Sequence, residues 1–108
     1  MAHTVGWTGD GADDLDDVAR FIARDSPAYA QDLVHEALAA ARSLRQFPER
    51  GRVIPEGADP AYRELFIRKS YGLLDRIDEN RVFVVGFVHA ARDLAALWER
   101  YEKPDPTS

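Results

Sequence analysis

The sequence predicts an α+β fold: a small antiparallel-rich sheet of about four strands, packed on an N-terminal α-helical hairpin and followed by a short C-terminal helix. Two observations predict it. Apolar residues recur at helical spacing through residues 15–46, and apolar runs of strand length follow between residues 62 and 88. Because a sheet and a helix each bury one apolar face, these segments form two layers around one core.

Length and composition limit the classes of protein that the chain can belong to. Its 108 residues predict a single domain over residues 1–103 and a flexible tail over 104–108. The absence of cysteine excludes a disulfide scaffold and thiolate metal sites. His3 and His35 have no partner at ligand spacing, so we expect neither a metal nor a cofactor. With no apolar run of membrane-spanning length, we expect a cytoplasmic protein with no membrane partner.

The first half of the chain predicts a strand and two helices. A short strand at 3–7 and a turn at 8–11 precede the first helix. Ser26 is a good N-cap and Pro27 suits the first helical position, so a second helix is expected from there to about Gln46. So short a link between the helices predicts an antiparallel hairpin.

The second half predicts strands and a last helix. Phe47-Pro48 ends the second helix and begins a loop, in which Val53-Ile54 is too short to predict a strand. Strands are predicted at 62–67, 71–77 and 82–88, and the last should be central because it is apolar on both faces. After His89, four apolar residues at helical spacing predict the C-terminal helix: Leu94, Leu97, Trp98 and Tyr101.

Charge is unevenly distributed along the chain. The net charge is −5, but residues 42–76 hold eight basic and five acidic residues, whereas residues 1–41 hold two basic and eight acidic ones. A protein that grips a nucleic-acid backbone by itself needs a strong basic surface, since phosphate neutralisation supplies most of the affinity. The distribution therefore disfavours autonomous nucleic-acid binding and indicates a local basic patch.

Short motifs spread from Trp7 to Leu94 resemble the RelE/ParE superfamily, the toxins of bacterial type II toxin–antitoxin systems, and most closely its ParE branch. Each motif is weak alone, but their order and spacing together are specific. The matching residues are Trp7, Asp14-Leu15, Ile22, Asp25-Ser26-Pro27, Leu44, Phe47-Pro48, Gly51-Arg52, Pro55-Glu56, Arg63-Glu64, Tyr71, Arg76, His89 and Arg92-Asp93-Leu94.

The resemblance implies one of two activities. RelE-like members cleave mRNA on the ribosome without a metal, which requires a group that activates the ribose 2′-hydroxyl and cations that stabilise the phosphate charge. In that alternative His89, Arg92, Arg76 and Lys69 are the candidate catalytic residues. ParE-like members lack this constellation and poison DNA gyrase, which blocks replication.

Two departures from the superfamily pattern favour the second activity. The pattern of the penultimate strand is Tyr-Arg-apolar-apolar-Tyr-Arg, and this chain has Gly72 at the first arginine and Asp75 at the second tyrosine. Gly72 removes a cation that an RNA-cleaving site would use, and Asp75 adds negative charge beside a phosphate. We therefore expect a toxin that is not an enzyme. A degenerate toxin that acts only as an antitoxin-binding module stays a further alternative.

The resemblance also implies partners. A cognate antitoxin would neutralise the toxin in a hetero-oligomer, and the complex would contact DNA only through the antitoxin. The residues expected to bind the antitoxin or the target are Arg63, Arg68, Lys69, Tyr71, Arg76 and Arg92. Strand alternation predicts that Arg63 and Arg76 both lie on the sheet face away from the helical hairpin. Structural alternatives stay open for four residues. His89 could cap the last strand, Arg92 could pair with a carboxylate such as Asp93, Glu64 or Asp75, and Arg68-Lys69 could simply solvate a turn.

Overall fold

The computed structural model describes residues 2–54 and 59–89 of the chain. In this part the elements follow the predicted order: one strand, two helices and then further strands. Their bounds are β1 Thr4–Trp7, α1 Gly9–Ala23, α2 Pro27–Ser43, β2 Arg52–Val53, β3 Tyr62–Ile67, β4 Tyr71–Asp78 and β5 Arg81–His89. The predicted C-terminal helix, the tail and Arg92 lie outside the described residues.

Hydroxyl side chains cap the N-termini of both helices. The backbone N–H of Tyr29 donates to Ser26 Oγ at 3.1 Å, and Pro27 follows at the first helical position, as predicted. In α1 the N–H of Gly11 donates to Thr8 Oγ1 at 3.0 Å. The predicted turn at 8–11 was therefore wrong, because Thr8 caps a helix that already begins at Gly9.

The described residues form a five-stranded sheet in the order β1-β5-β4-β3-β2. The β1–β5 pair is parallel, and the other three pairs are antiparallel. The α+β class is confirmed, and β5 lies inside the sheet as its two apolar faces indicated. The expected strand count of about four was one too low. Pairing with β3 defines the two-residue β2, which is too short for any periodic pattern in the sequence.

The β3–β4 register decides which side chains face the helices. Leu65 lies opposite Leu73, and both belong to the larger core, which α1 and α2 cover. Leu74 lies on the other face, in a smaller cluster with Ile54, Val85 and Val88. Helix α2 contributes Leu33, Ala37 and Ala41 to the larger core, and its C-cap residue Leu44 joins them.

Helix α1 approaches the backbone of β5 closely. Beyond the end of β1, the N–H of Thr8 donates to the Val84 carbonyl at 3.0 Å. One turn further along α1, Asp14 Oδ2 accepts the backbone N–H of Phe87 at 3.3 Å. Gly11 lies between these contacts, and a Cβ built on it would be 2.4 Å from the Val84 oxygen. The helix can take this position because residue 11 has no side chain.

Replacing Glu79 by glycine should stabilise the protein by about 0.5–1 kcal/mol. Glu79 and Asn80 join the paired ends of β4 and β5, and Glu79 has a φ of 55°, in the left-handed region that glycine adopts without a Cβ penalty. Urea denaturation measures the gain. Asn80→Gly is the matched control, since residue 80 is not left-handed; an equal gain there would contradict the explanation.

Within residues 2–54 and 59–89, neither helix has the length and apolar composition needed to cross a membrane.

Candidate functional site

A cluster of polar and aromatic side chains lies where the β3–β4 hairpin meets α2. Ile67 pairs with Tyr71, so Arg68, Lys69 and Ser70 form the loop. Arg68 donates from Nε and Nη2 to the two oxygens of Glu36 on α2, both at 2.8 Å. The exposed fractions of these two side chains are 32% and 44%. The hydrogen bond from Arg68 lowers the pKa of Glu36, so the pair is ionised at neutral pH.

Aromatic rings extend this cluster toward the sheet. The Arg68 guanidinium lies 4.8 Å from the centre of the Tyr29 ring. Tyr71 stacks on Phe87 with centroids 5.8 Å apart and meets His89 edge-on at 5.5 Å. Burial raises the pKa of Tyr71, the neighbouring Tyr29 phenol raises it further, and Arg68 opposes the rise. We call Tyr29, Glu36, Arg68, Tyr71 and His89 the tip cluster.

A second charged group is buried in the middle of the sheet. The Glu64 side chain is 0% exposed, and its Oε1 accepts from Nε and Nη2 of Arg52 at 3.1 and 2.7 Å. Arg52 itself lies over the Phe66 ring at 5.3 Å. A Cβ on Gly72 would be 2.8 Å from Glu64 Oε2. Gly72 therefore does more than lack the arginine of the superfamily pattern: it leaves the space that the Glu64 carboxylate fills.

Asp75 is the other buried carboxylate, and it lies on the face that the helices cover. It is 0% exposed, and neither carboxylate oxygen has a hydrogen-bond partner among the described residues. Burial raises its pKa to about 7, and the positive charge of Arg63 acts in the opposite direction. Arg63 is directly opposite Asp75 in the register. Its Nη1 donates away from Asp75, to the Gly51 carbonyl at 3.0 Å.

The register corrects one prediction about these arginines. Arg76 pairs with Phe83, which packs in the smaller cluster, so Arg76 lies on the face away from the helices as predicted. Arg63 lies on the opposite face, two residues before Leu65 of the larger core. The prediction for Arg63 was wrong because residues 63 and 76 lie one position out of register across β3 and β4.

The described candidate residues do not form a single group. Arg68, Lys69, Tyr71 and His89 meet at the hairpin tip, where Tyr71 pairs with His89. Arg76 is five residues further along β4, about 16 Å away at the usual rise of a strand, and on the other face of the sheet. The three described residues of the catalytic alternative, His89, Arg76 and Lys69, are therefore not brought together. The fourth, Arg92, lies outside the described residues.

Sequence reasoning missed Tyr29 and Glu36, because the second helix was predicted only as one half of the helical hairpin. Their spacing contains a usable signal: residues seven apart lie on one face of a helix. That face is polar and aromatic, while the buried stripe of α2 runs through Leu33 and Ala37. Which side chain they would meet could not be deduced, since Arg68 comes 32 positions after Glu36.

Gly72→Ala should destabilise the protein by about 2 kcal/mol, because the new methyl group forces Glu64 away from Arg52 and leaves a buried charge without its partner. Urea unfolding of the parent and the variants of a double-mutant cycle measures this loss of stability. In a Glu64→Ala background the same change at Gly72 meets no carboxylate and should cost far less. Equal losses in both backgrounds would refute the role given to Gly72.

Two solved structures share this fold. The chromosomal ParDE toxin–antitoxin system from P. aeruginosa matches with a TM-score of 0.66 and 19% identity, covering 82% of this chain and 96% of that one. The RelBE2 toxin–antitoxin complex from Mycobacterium tuberculosis matches with a TM-score of 0.56 and 22% identity, covering 82% and 99%. The five-stranded sheet and the two helices are thus a fold that this chain shares with structures of the toxin–antitoxin class.

Sequence comparison identifies the family within that class. The family model for the ParE toxin of the type II toxin–antitoxin system parDE matches residues 5–94. Toxin RelE2 of Caulobacter vibrioides is 35% identical over 92 residues, which cover 85% of this chain and 99% of that protein. The chain belongs to the ParE toxin family of type II toxin–antitoxin systems. The resemblance found in its motifs is confirmed.

Proposed function

We propose that this toxin inhibits growth by poisoning DNA gyrase, which blocks replication, and that a cognate antitoxin neutralises it by binding. The observation that carries the proposal is the separation of the candidate catalytic residues. His89, on β5, pairs with Tyr71 at one end of β4, whereas Arg76 is five residues further along β4 and on the opposite face of the sheet. The match of the ParE family model over residues 5–94 supports the same activity.

The charges on the sheet also argue against RNA cleavage. An RNA-cleaving site needs cations that are free to stabilise a phosphate. Arg68 is neutralised by Glu36, and Arg52 is neutralised by Glu64. Asp75 adds a buried carboxyl group opposite Arg63. We therefore infer that the toxin acts by contact with its target rather than by catalysis.

The antitoxin is the partner that the structural neighbours suggest, since both belong to toxin–antitoxin complexes. Among the proposed contact residues, Arg68, Lys69 and Tyr71 share the hairpin tip. Lys69 is exposed there, and the Arg68 guanidinium lies over the Tyr29 ring. A basic surface with aromatic rings suits an acidic segment that carries apolar side chains. DNA would be contacted only through the antitoxin. Arg63 contributes little directly in this proposal, because it faces the helical layer.

One observation favours a second function. The relative named Toxin RelE2 is 35% identical to this chain, and a RelE-like toxin would be a ribosome-dependent mRNA endoribonuclease. In that case the tip cluster would be the catalytic centre, with His89 or Tyr71 as the acid or base and Lys69 beside the phosphate. The third alternative, a degenerate toxin that only binds antitoxin, predicts no growth defect at all.

Induced expression without antitoxin separates the three functions. Pulse labelling of DNA and of protein in the same culture should show DNA synthesis stopping first, with filamentous cells and a DNA-damage response. The purified toxin should then inhibit supercoiling by gyrase, and added antitoxin should restore it. A collapse of protein synthesis within minutes, abolished by His89→Gln or Lys69→Ala, would overturn the gyrase proposal in favour of RNA cleavage. A toxin that binds antitoxin but leaves growth unchanged would show the degenerate form.

A further inference from the structure

Arg63 has two possible acceptors, and they lie on opposite sides of its strand. Strand β3 runs between β4, which carries Asp75, and β2, which Gly51 immediately precedes. Neighbouring strands are about 4.8 Å apart, so a guanidinium that leans toward one acceptor withdraws from the other. In this structure Arg63 Nη1 donates to the Gly51 carbonyl at 3.0 Å.

The unused hydrogen-bonding groups lie on the Asp75 side. Arg63 Nε is buried without a partner among the described residues, and so are both oxygens of Asp75. A buried donor and a buried acceptor that stay unpaired each cost free energy, more so when charged. Residues directly opposite in an antiparallel pair have Cβ atoms about 5 Å apart, which places these groups within reach of a change in side-chain torsions.

No other charge among the described residues competes for Asp75. Its neighbours along the same face of β4 are Leu73 and Ile77, and its β5 partner is Val84. The helical layer contributes apolar side chains to the core on this face: Leu15, Leu33, Ala37, Ala41 and Leu44. The charge state of Asp75 therefore acts chiefly on Arg63.

We propose that Arg63 is a latch with two positions: it holds the Gly51 carbonyl while Asp75 is neutral, and it turns to the Asp75 carboxylate when that group ionises. The structure described here corresponds to the neutral state. Burial that raises the pKa of Asp75 to about 7 brings this change into the range around neutral pH. The latch is a property of the toxin itself and does not depend on which target it has.

The segment that the latch releases is the loop Phe47–Gly51. Arg63 holds its last carbonyl, and Arg50 Nη1 donates back to Ser43 Oγ at 2.8 Å. Phe47, at the start of this loop, is 62% exposed. Loss of the Arg63 bond would free the loop next to β2. Ionisation of Asp75 inside the sheet would thus increase the mobility of the loop Phe47–Gly51.

Nuclear magnetic resonance of the whole chain between pH 5.5 and 8.5 tests the latch. The Asp75 side-chain carboxyl carbon, the Arg63 Nε–H group and the Gly51 carbonyl carbon should titrate together with one midpoint. After correction for intrinsic exchange, amide protection in residues 50–53 should fall about tenfold at the high end of the range. In Asp75→Asn the Arg63 and Gly51 signals should keep their low-pH positions at every pH.

Asp78→Asn is the matched control, since Asp78 is an exposed carboxylate on the same strand. It should leave the titration and the loop protection as in the parent. The proposal is overturned if Asp75 titrates while the Arg63 and Gly51 signals stay constant, or if Asp75 does not titrate in this range. It is equally overturned if the loop changes persist in Asp75→Asn.

Discussion

The Gly11→Ala variant is expected to lose at least about 3 kcal/mol of unfolding free energy, a large part of the stability of a domain of this size. Alanine is the better helix former by about 1 kcal/mol, so the loss has to come from contact with the sheet. The added Cβ would lie 2.4 Å from the Val84 oxygen and 3.0 Å from the Val84 carbonyl carbon. Both are backbone atoms, which cannot rotate away, so α1 must move off β5.

Gly9→Ala provides the matched control for this variant. Gly9 is in the first turn of the same helix, and a Cβ built there has no atom within 4 Å. It should leave stability unchanged or raise it by up to about 1 kcal/mol, as helix propensity predicts. Thermal and urea unfolding of the two variants give the comparison. If Gly11→Ala is as stable as Gly9→Ala, then α1 does not approach β5 as described.

The second large effect is on the pH dependence of stability, and Asp75 is its source. The pKa of Asp75 rises from an ordinary value of 3.8 to about 7 on folding. The folded state therefore binds a proton that the unfolded state releases, and stability falls as pH rises from about 4 to about 7, then levels off. Between pH 5 and pH 8 the loss attributable to this group is on the order of 2–3 kcal/mol. Pairing of the Asp75 carboxylate with Arg63 at high pH would reduce this loss of stability.

The Asp75→Asn variant should remove this dependence and be the more stable protein at pH 8. Other carboxylates also titrate, and Glu36 acts in the opposite direction because its pKa is lowered by Arg68. The measured quantity is therefore the difference in unfolding free energy between parent and variant at each pH. Asp78→Asn, on the same strand but exposed, should run parallel to the parent. A difference that does not grow between pH 5 and pH 8 would contradict the burial of an ionisable Asp75.

Local patterns predicted the elements of this fold well, and the reason is physical. Strand β3 was predicted at residues 62–67, where the structure has it, because its apolar run is bounded by turn residues on both sides. Ser26 and Pro27 marked the start of α2 because capping depends only on neighbouring backbone amides. Strand β2 was not predicted, since two residues become a strand only through pairing with β3.

The candidate site was less predictable, because it depends on register and on long-range pairs. A register shift of one position moves a side chain to the other face of a sheet. Arg63 was assigned to the wrong face for this reason. Gly72 and Asp75 were singled out from the sequence as departures from the superfamily pattern. That Gly72 makes room for Glu64 could not be known from the sequence, since it depends on how β3 and β4 align.

The parallel pairing of β1 with β5 has a consequence for how the toxin is made. It joins the first strand to the last described one, and contacts such as that between Thr8 and Val84 link positions 76 apart. The helical hairpin can form from local contacts while synthesis continues at about 5–20 residues per second. The sheet cannot be completed until β5 has left the ribosome, and such non-local pairing is slow. A nascent chain should therefore stay inactive until β5 has emerged and paired, which gives an antitoxin already in the cell time to meet the toxin as it folds.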